Sequence, residues 1–179
     1  MNSTIETITL GGGCFWCLEA VYEQVRGVTA VESGYSNGQV KNPSYDEVCG
    51  GRTGHAEVVR VSFDTQQVSL RQVLEIFYVV HDPTTLNRQG NDKGTQYRSG
   101  IYFRNAEQER IAREVTAEAN EHHRGKIVTE IAAEANYSRA EDEHQHYFAS
   151  HPNQGYCMFV VFPKVEKFRR TFKSLALAE

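Results

Sequence analysis

The chain has 179 residues, 40% of them hydrophobic, enough to bury a core as one domain over residues 1–179 without metal or disulfide staples. Its formal charge of -4, with acidic and basic residues interleaved, offers no basic face for nucleic acid and no polybasic anchor for a membrane. The start, MNSTIETITL, lacks a basic n-region and an apolar h-region, and no run approaches the roughly 20 apolar residues that span a bilayer, so the expected location is the cytoplasm. Four cysteines are too few for a disulfide framework, and in a reducing compartment thiols persist for reactivity or as small buried hydrophobes.

Residues 5–10, IETITL, alternate and are β-rich, which predicts a strand ending in Gly11, Gly12 and Gly13, with a helix from Phe15 to Gln24. GVTAVESGYSNG predicts a second strand closing on an Asn37-Gly38 turn, and the Gly-, Asn- and Pro-rich stretch that follows to Gly54 is long for a mere connection. From Ala56 to Phe63 the parity puts Glu57, Val59, Val61 and Phe63 on one face and Arg60 and Ser62 on the other, so Glu57 stands at the mouth of an apolar face. Ser69 and Gln72 form a capping box ahead of the stripe Leu70, Val73, Leu74 and Phe77, a helix over 70–80. HDPTTLNRQGNDKGTQYRS is polar and turn-forming throughout and precedes a short strand, Gly100 to Phe103. Asn105 and Gln108 open a helix whose stripe is Ile111, Ala112, Val115 and Ala119. YCMFVVF reads as a buried strand stopped by Pro163, and Val165, Phe168, Phe172 and Leu175 mark a closing helix. The mixture lacks a strict βαβα rhythm, which predicts an α+β two-layer sandwich: a mixed or antiparallel sheet with helices packed on it around a ferredoxin-like core.

A strand that ends in glycines and turns into a helix sets Cys14 at the helix N-terminus, where free N–H groups and the positive dipole end favour a thiolate. Phe15 and Trp16 beside it make an aromatic wall suited to a small apolar group, and sulfur against aromatic edges is a favourable contact, so the substrate atom is itself a candidate sulfur. The competing reading is an inert buried thiol among core aromatics; the triple glycine and the helix start weigh against it. Cys17 completes a C-x-x-C pair, which suits disulfide chemistry or, equally, a small helix residue facing the sheet. Zinc would need two more ligands at knuckle spacing, and Cys49, Cys157, His122, His123, His144 and His146 supply no second C-x-x-C; neither metal nor cofactor is expected.

The two long irregular stretches supply Tyr45 and Glu57, and Asp92 and Tyr97. A carboxyl at the edge of an apolar face has its charged form disfavoured, which raises its pKa and fits it to donate a proton near neutrality, while tyrosine hydroxyls hold an oxygen without bringing charge. Taken singly, each has a structural alternative: Glu57 as a strand end paired with an arginine, the tyrosines as core rings. Cys49 reads as structural, EDEHQHYF as a solvated helix face, and the charges of PKVEKFRR as solvated.

The segments GGGCFWC, GYSNGQVKNPSYDEVCGGRTGHAEVVRV, HDPTTLNRQGNDKGTQYRSGIY, AEDEHQHYF and GYC, in this order and spread over nearly the whole chain, resemble the peptide methionine sulfoxide reductases of the A type. The resemblance implies an α+β fold and reduction of the S-epimer of methionine sulfoxide, free or in oxidised proteins and peptides, with thioredoxin as reductant. By position, Cys14 matches the nucleophile that is left as a sulfenic acid, Phe15 and Trp16 the pocket for the substrate methyl, and Glu57 the acid that protonates the sulfoxide oxygen. Tyr45 and Tyr97 match the hydroxyls that hold that oxygen, and Asp92 a polar residue of the same pocket.

Two departures concern the resolving thiol. Many members have glycine at the position of Cys17, and many resolve the sulfenic acid with a cysteine on a glycine-rich tail; Cys157 has that cysteine's GYC context, but its surroundings read as strand and helix. Locality favours Cys17 and the motif favours Cys157, with a relay between them a third route. The rival function is a general thiol-disulfide oxidoreductase using the Cys14/Cys17 pair, which needs neither Glu57 nor the tyrosines; a scaffold protein would carry no thiol of unusual acidity.

Overall fold

Alternation along β1 (Ile5–Gly11) buries Ile8 and Leu10 on one side and sets Thr7 and Thr9 on the other, where their hydroxyls bond Ser62 and Glu134. The structure, a computed structural model, describes residues 4–177. The remaining strands are β2 (Val28–Ser36), β3 (Ala56–Asp64), β4 (Arg88–Gln89), β5 (Asp92–Lys93), β6 (Gly100–Phe103), β7 (Glu130–Ala133) and β8 (Ser138–Arg139). The helices are α1 (Phe15–Tyr22), α2 (Tyr45–Cys49), α3 (Leu70–Val80), α4 (Ala106–His122), α5 (Tyr147–Ser150) and α6 (Phe162–Thr171). Six strands form one sheet in the order β7-β6-β1-β3-β2-β8, antiparallel except for β6 with β7, while β4 and β5 make a separate hairpin. The path β1-α1-β2-β3-α3-β6 with strands ordered β6-β1-β3-β2 is the expected ferredoxin-like core, widened by one strand at each edge.

The apolar face of the sheet carries the main core. Ile8, Leu10, Val59, Val61 and Phe63 pack in one cluster with Phe15 and Leu18 of α1, Leu74, Ile76 and Phe77 of α3, and Val165 and Phe168 of α6. The capping box holds the start of α3: Ser69 Oγ accepts from the Gln72 N–H at 3.1 Å, and Gln72 Oε1 accepts from the Ser69 N–H at 2.9 Å. On the opposite face a small cluster of Ala56, Val58 and Tyr102 lies under Ala132 and Tyr137, and the Arg60 guanidinium sits 3.5 Å above the Tyr137 ring while pairing with Glu134. Among the described residues no helix is long and apolar enough to cross a membrane.

The helix over 70–80 and the strand over 100–103 coincide with α3 and β6, and α1 ends two residues earlier than the periodicity predicts, at Tyr22. The C-terminal expectation is overturned. YCMFVVF is no strand: Cys157–Val161 is a π-helix that runs directly into α6. Cys157, Val161, Val165 and Phe168 are the buried stripe, while Met158, Phe159 and Phe162 face solvent, Phe159 at 80% exposure, so the helical spacing of four outweighs the β-rich composition. Pro163 does not stop this segment but stands in the first turn of α6, at the change of ladder from π to α, where its missing N–H is tolerated.

Candidate active site

Cys14 lies where β1 hands over to α1, as the N-cap residue of that helix in extended backbone. The glycines before it answer to specific neighbours. A Cβ on Gly12 would meet the His81 ring at 3.1 Å, and Gly13 has φ +87° with room for a Cβ only 2.7 Å from Gln89 Cγ. Gln89 in turn pairs with the Asp82 backbone in both directions, at 2.8 Å each, so the β4–β5 hairpin that carries Asp92 is clamped against the glycine turn.

Glu57 is the second residue of β3, opposite Tyr35 in the register and 1% exposed. β1 stops at Gly11, which leaves its carboxyl facing the open end of α1: the Phe15 N–H donates to Glu57 Oε1 at 3.2 Å, and the Cys14 thiol shares a hydrogen bond with the same carboxyl. Burial raises the Glu57 pKa from its ordinary 4.5 to about 8, against the pull of the Phe15 N–H, so the group carries its proton at neutral pH. The predicted thiolate is corrected by the same surroundings. The Trp16 N–H does reach the Cys14 sulfur and lowers its pKa, but burial, then Glu57 and Cys17, raise it further, and Cys14 rests as a thiol.

Cys14, Phe15, Trp16, Tyr45, Glu57, Asp92, Tyr97 and Tyr156 line one cavity of about 180 Å³. Burial, with Glu57 nearby, holds the hydroxyls of Tyr45 and Tyr97 protonated well past neutral pH, so both stay donors. Trp16 is fixed on two sides: its ring stacks on Tyr147 at 3.7 Å between centroids, and its Nε1–H donates to His144 Nδ1 at 3.3 Å, which puts the His144 proton on Nε2. His144 also packs against Phe15 and Tyr45, at 5.4 and 4.6 Å between centroids.

The stretch read as a solvated helix face is therefore the back wall of the site. Two carboxyls pin it: Glu141 accepts from Tyr35 OH and from the Tyr45 N–H, both at 2.9 Å, and Glu19 accepts from Ser33 Oγ and the Tyr147 N–H, both at 3.1 Å. Gln145 docks on β2 through paired bonds to Ser33, at 3.0 and 2.9 Å. The residues that sequence reasoning missed are thus Glu141, His144, Tyr147 and Tyr156; the signal present for the first three was the run of histidines and aromatics inside an acidic segment, and for Tyr156 its place in the GYC motif. Glu19, Glu23 and His146 bring ligand atoms within 4.8 Å of one another, but both Glu19 oxygens are already taken.

The two candidate resolving thiols sit differently. Cys17 is 2% exposed and lines a second cavity together with Cys14, while Cys157 is buried in the π-helix, its N–H donating to Gln154 Oε1 at 3.1 Å, and lines neither cavity. Cys49 is exposed and hydrogen-bonds the Tyr45 hydroxyl.

A largely buried thiol bonded to a protonated carboxyl, with aromatic walls and neutral hydroxyl donors around a space this small, suits attack on a compact polar sulfur group. The family model for peptide methionine sulfoxide reductase matches residues 6–176. The peptide methionine sulfoxide reductase MsrA of Polynucleobacter asymbioticus is 57% identical over 174 residues, 96% of this chain and 92% of the relative. Among solved structures, reduced Mxr1 from Saccharomyces cerevisiae superposes with a TM-score of 0.81 at 36% identity, covering 86% of this chain and 90% of that one. Mxr1 in complex with Trx2 shares the fold at a TM-score of 0.57 and 24% identity, covering 82% and 89%. Site geometry, sequence and fold agree, and the chain belongs to the peptide methionine sulfoxide reductases of the A type.

Proposed function

We propose that this chain, as one domain and in the cytoplasm, reduces the S-epimer of methionine sulfoxide, free or in oxidised proteins and peptides, through a sulfenic acid on Cys14. Phe15 and Trp16 receive the methyl group, and the hydroxyls of Tyr45 and Tyr97 hold the sulfoxide oxygen, with Asp92 closing the polar side. As Cys14 attacks the sulfur, Glu57 gives its proton to the sulfoxide oxygen and takes up the thiol proton through their hydrogen bond; the thioether departs and the oxygen remains on Cys14 as the sulfenic hydroxyl. Net, thiol plus sulfoxide becomes sulfenic acid plus thioether. The observation that carries this reading is the hydrogen-bonded pair of Cys14 and a Glu57 whose pKa stands at about 8, in one cavity with Tyr45 and Tyr97.

Cys17 then displaces hydroxide from Cys14 to form the disulfide, a choice supported by its place in one cavity with Cys14, a cavity whose lining does not include Cys157. A disulfide of this kind is opened by a dithiol, and the complex of Mxr1 with Trx2 supports thioredoxin in that part. A general thiol-disulfide exchanger would have no use for the buried acid or the tyrosine donors. The test is conversion of a peptide bearing the S-epimer to its methionine form: Cys14→Ser is expected to abolish it, and appreciable turnover by that variant would sink the mechanism.

A further inference from the structure

Behind the substrate cavity lies a second one of about 210 Å³, sharing Cys14, Asp92 and Tyr156 with the first and adding Cys17, Val160 and Lys164. The Tyr156 hydroxyl stands between the two, donating to Asp92 Oδ2 at 2.7 Å and lying 3.9 Å from Cys17 Sγ. Lys164 projects into it from the first turn of α6, half-buried, and among the described residues no carboxylate comes within 4.0 Å of its ammonium. A cation drawn partly out of water with no ion-pair partner is costly unless an anion forms where it points. Besides Asp92, the groups of this cavity able to become an anion are the thiols of Cys14 and Cys17, and of the two it is Cys17 that Lys164 acts on.

We propose that Lys164 is the counter-charge for the Cys17 thiolate, so that α6, through this one side chain, sets the rate at which the sulfenic acid is resolved. The proposal rests on the reading of Cys17 as the resolving thiol. When the bridge forms, the Cys17 sulfur attacks Cys14, the S–O bond breaks, and the departing hydroxide takes up the proton that Cys17 gives away, leaving as water. When a dithiol opens the bridge, the S–S bond breaks, Cys17 keeps the electron pair, and the dithiol is oxidised to its own disulfide. In both directions negative charge resides on a sulfur that is almost wholly out of solvent.

The charged and titratable groups facing Cys17 are Cys14 on its own helix, Glu57 from β3, Asp92 from β5, Tyr156 ahead of the π-helix and Lys164 from α6. Burial, Asp92 and Glu57 raise the Cys17 pKa; Lys164 is the largest influence that lowers it, followed by the Tyr156 hydroxyl. Lys164 is thus a positioning residue for charge, and Tyr156 its partner.

The experiment adds one equivalent of methionine sulfoxide to reduced enzyme without reductant and follows two signals across pH: methionine release, and loss of free thiols with mapping of the bridge. Lys164→Met keeps the apolar stem and removes the charge; Lys164→Arg keeps the charge; Lys167→Met, one turn further along α6 and exposed, is the control. Bridge formation in Lys164→Met is expected to slow about tenfold near neutral pH with its midpoint moved up by about one unit, the two being the same change in thiolate fraction. Methionine release serves as the internal reference, and Lys164→Arg is expected to restore both rate and midpoint. A Cys14–Cys17 bridge that forms in Lys164→Met at the parent's rate and pH midpoint would overturn the proposal while leaving Cys17 as the resolving thiol. A first-formed Cys14–Cys157 bridge would overturn the reading of Cys17, and the assignment of Lys164 with it.

Discussion

Exchanging Glu57 for glutamine is expected to move stability and activity in opposite directions. In the folded protein burial lifts this carboxyl from 4.5 to about 8, whereas in the unfolded chain it returns to its ordinary value. A carboxyl raised on folding supports the fold fully only below its unfolded pKa, and that support is lost as pH climbs toward the folded one. At about 1.4 kcal/mol per unit, the raised pKa of Glu57 costs the fold roughly 2 kcal/mol at pH 6 and roughly 4.5 kcal/mol at pH 9, where the group is mostly ionised and the loss is nearly complete. Glutamine has the same shape, still accepts from the Phe15 N–H, and does not titrate. Urea unfolding of parent and Glu57→Gln at the two pH values should therefore show the variant gaining about 2.5 kcal/mol on the parent between pH 6 and pH 9. The raised thiols of Cys14 and Cys17 are common to both proteins and drop out of the difference apart from their coupling to Glu57. Near neutral pH, where the parent's Glu57 still carries its proton, single-turnover sulfoxide reduction in the variant should fall by a factor on the order of 10² to 10⁴, a gap that narrows toward pH 9 as the parent's acid ionises. A stability difference that stays flat with pH, or a variant as fast as the parent near neutrality, would refute the reasoning.

Gly13→Ala forces an L side chain to φ +87° and drives its Cβ to within 2.7 Å of Gln89 Cγ. It should lower stability by roughly 1–2 kcal/mol in urea unfolding and cut turnover by displacing the hairpin that carries Asp92. Mass-spectrometric mapping after one equivalent of substrate should find Cys14 bridged to Cys17, and Cys17→Ser should keep the methionine burst but lose thioredoxin-linked turnover. Ser69→Ala removes the acceptor for the Gln72 N–H at the start of α3, far from the cavity, and should cost about 1 kcal/mol in unfolding with turnover unchanged.

The elements legible in the sequence were those whose own residues settle them. The capping box and stripe of α3, the parity of β3 with Glu57 on its apolar face, and the glycine end of β1 are local patterns, and each stands as read. β8 is two residues long and β7 is EIAA, too brief or too small to signal a strand; both exist because an edge of the sheet was open to them. The site divides in the same way. Cys14, Phe15 and Trp16 follow from one handover of strand to helix, and Glu57 from one strand's parity. Tyr45, Asp92 and Tyr97 came through resemblance, since nothing local says that two loops will meet over α1. His144 and Tyr147 were hidden by the charges around them: an acidic run looks solvated until its carboxyls find buried partners, as Glu141 does in Tyr35 and the Tyr45 N–H. The acidity of Cys14 was misjudged because a helix N-terminus is visible in sequence and the depth of burial is not.

The indole of Trp16 and the imidazole that steadies it are 128 residues apart in the chain. The ferredoxin-like core closes by residue 103, so the sheet and its first helices gather before the back wall has anything to close upon. Contacts of such long separation carry a large loop-closure cost and form late. Refolding is therefore expected to recover backbone structure first and catalytic competence afterwards, as a distinct slower phase. During synthesis the same order leaves the cavity around Cys14 open until the segment from Glu141 to Lys164 has emerged, so through that interval the nucleophile has Glu57 and its neighbouring aromatics in place but not the wall that fixes Trp16 and closes the site.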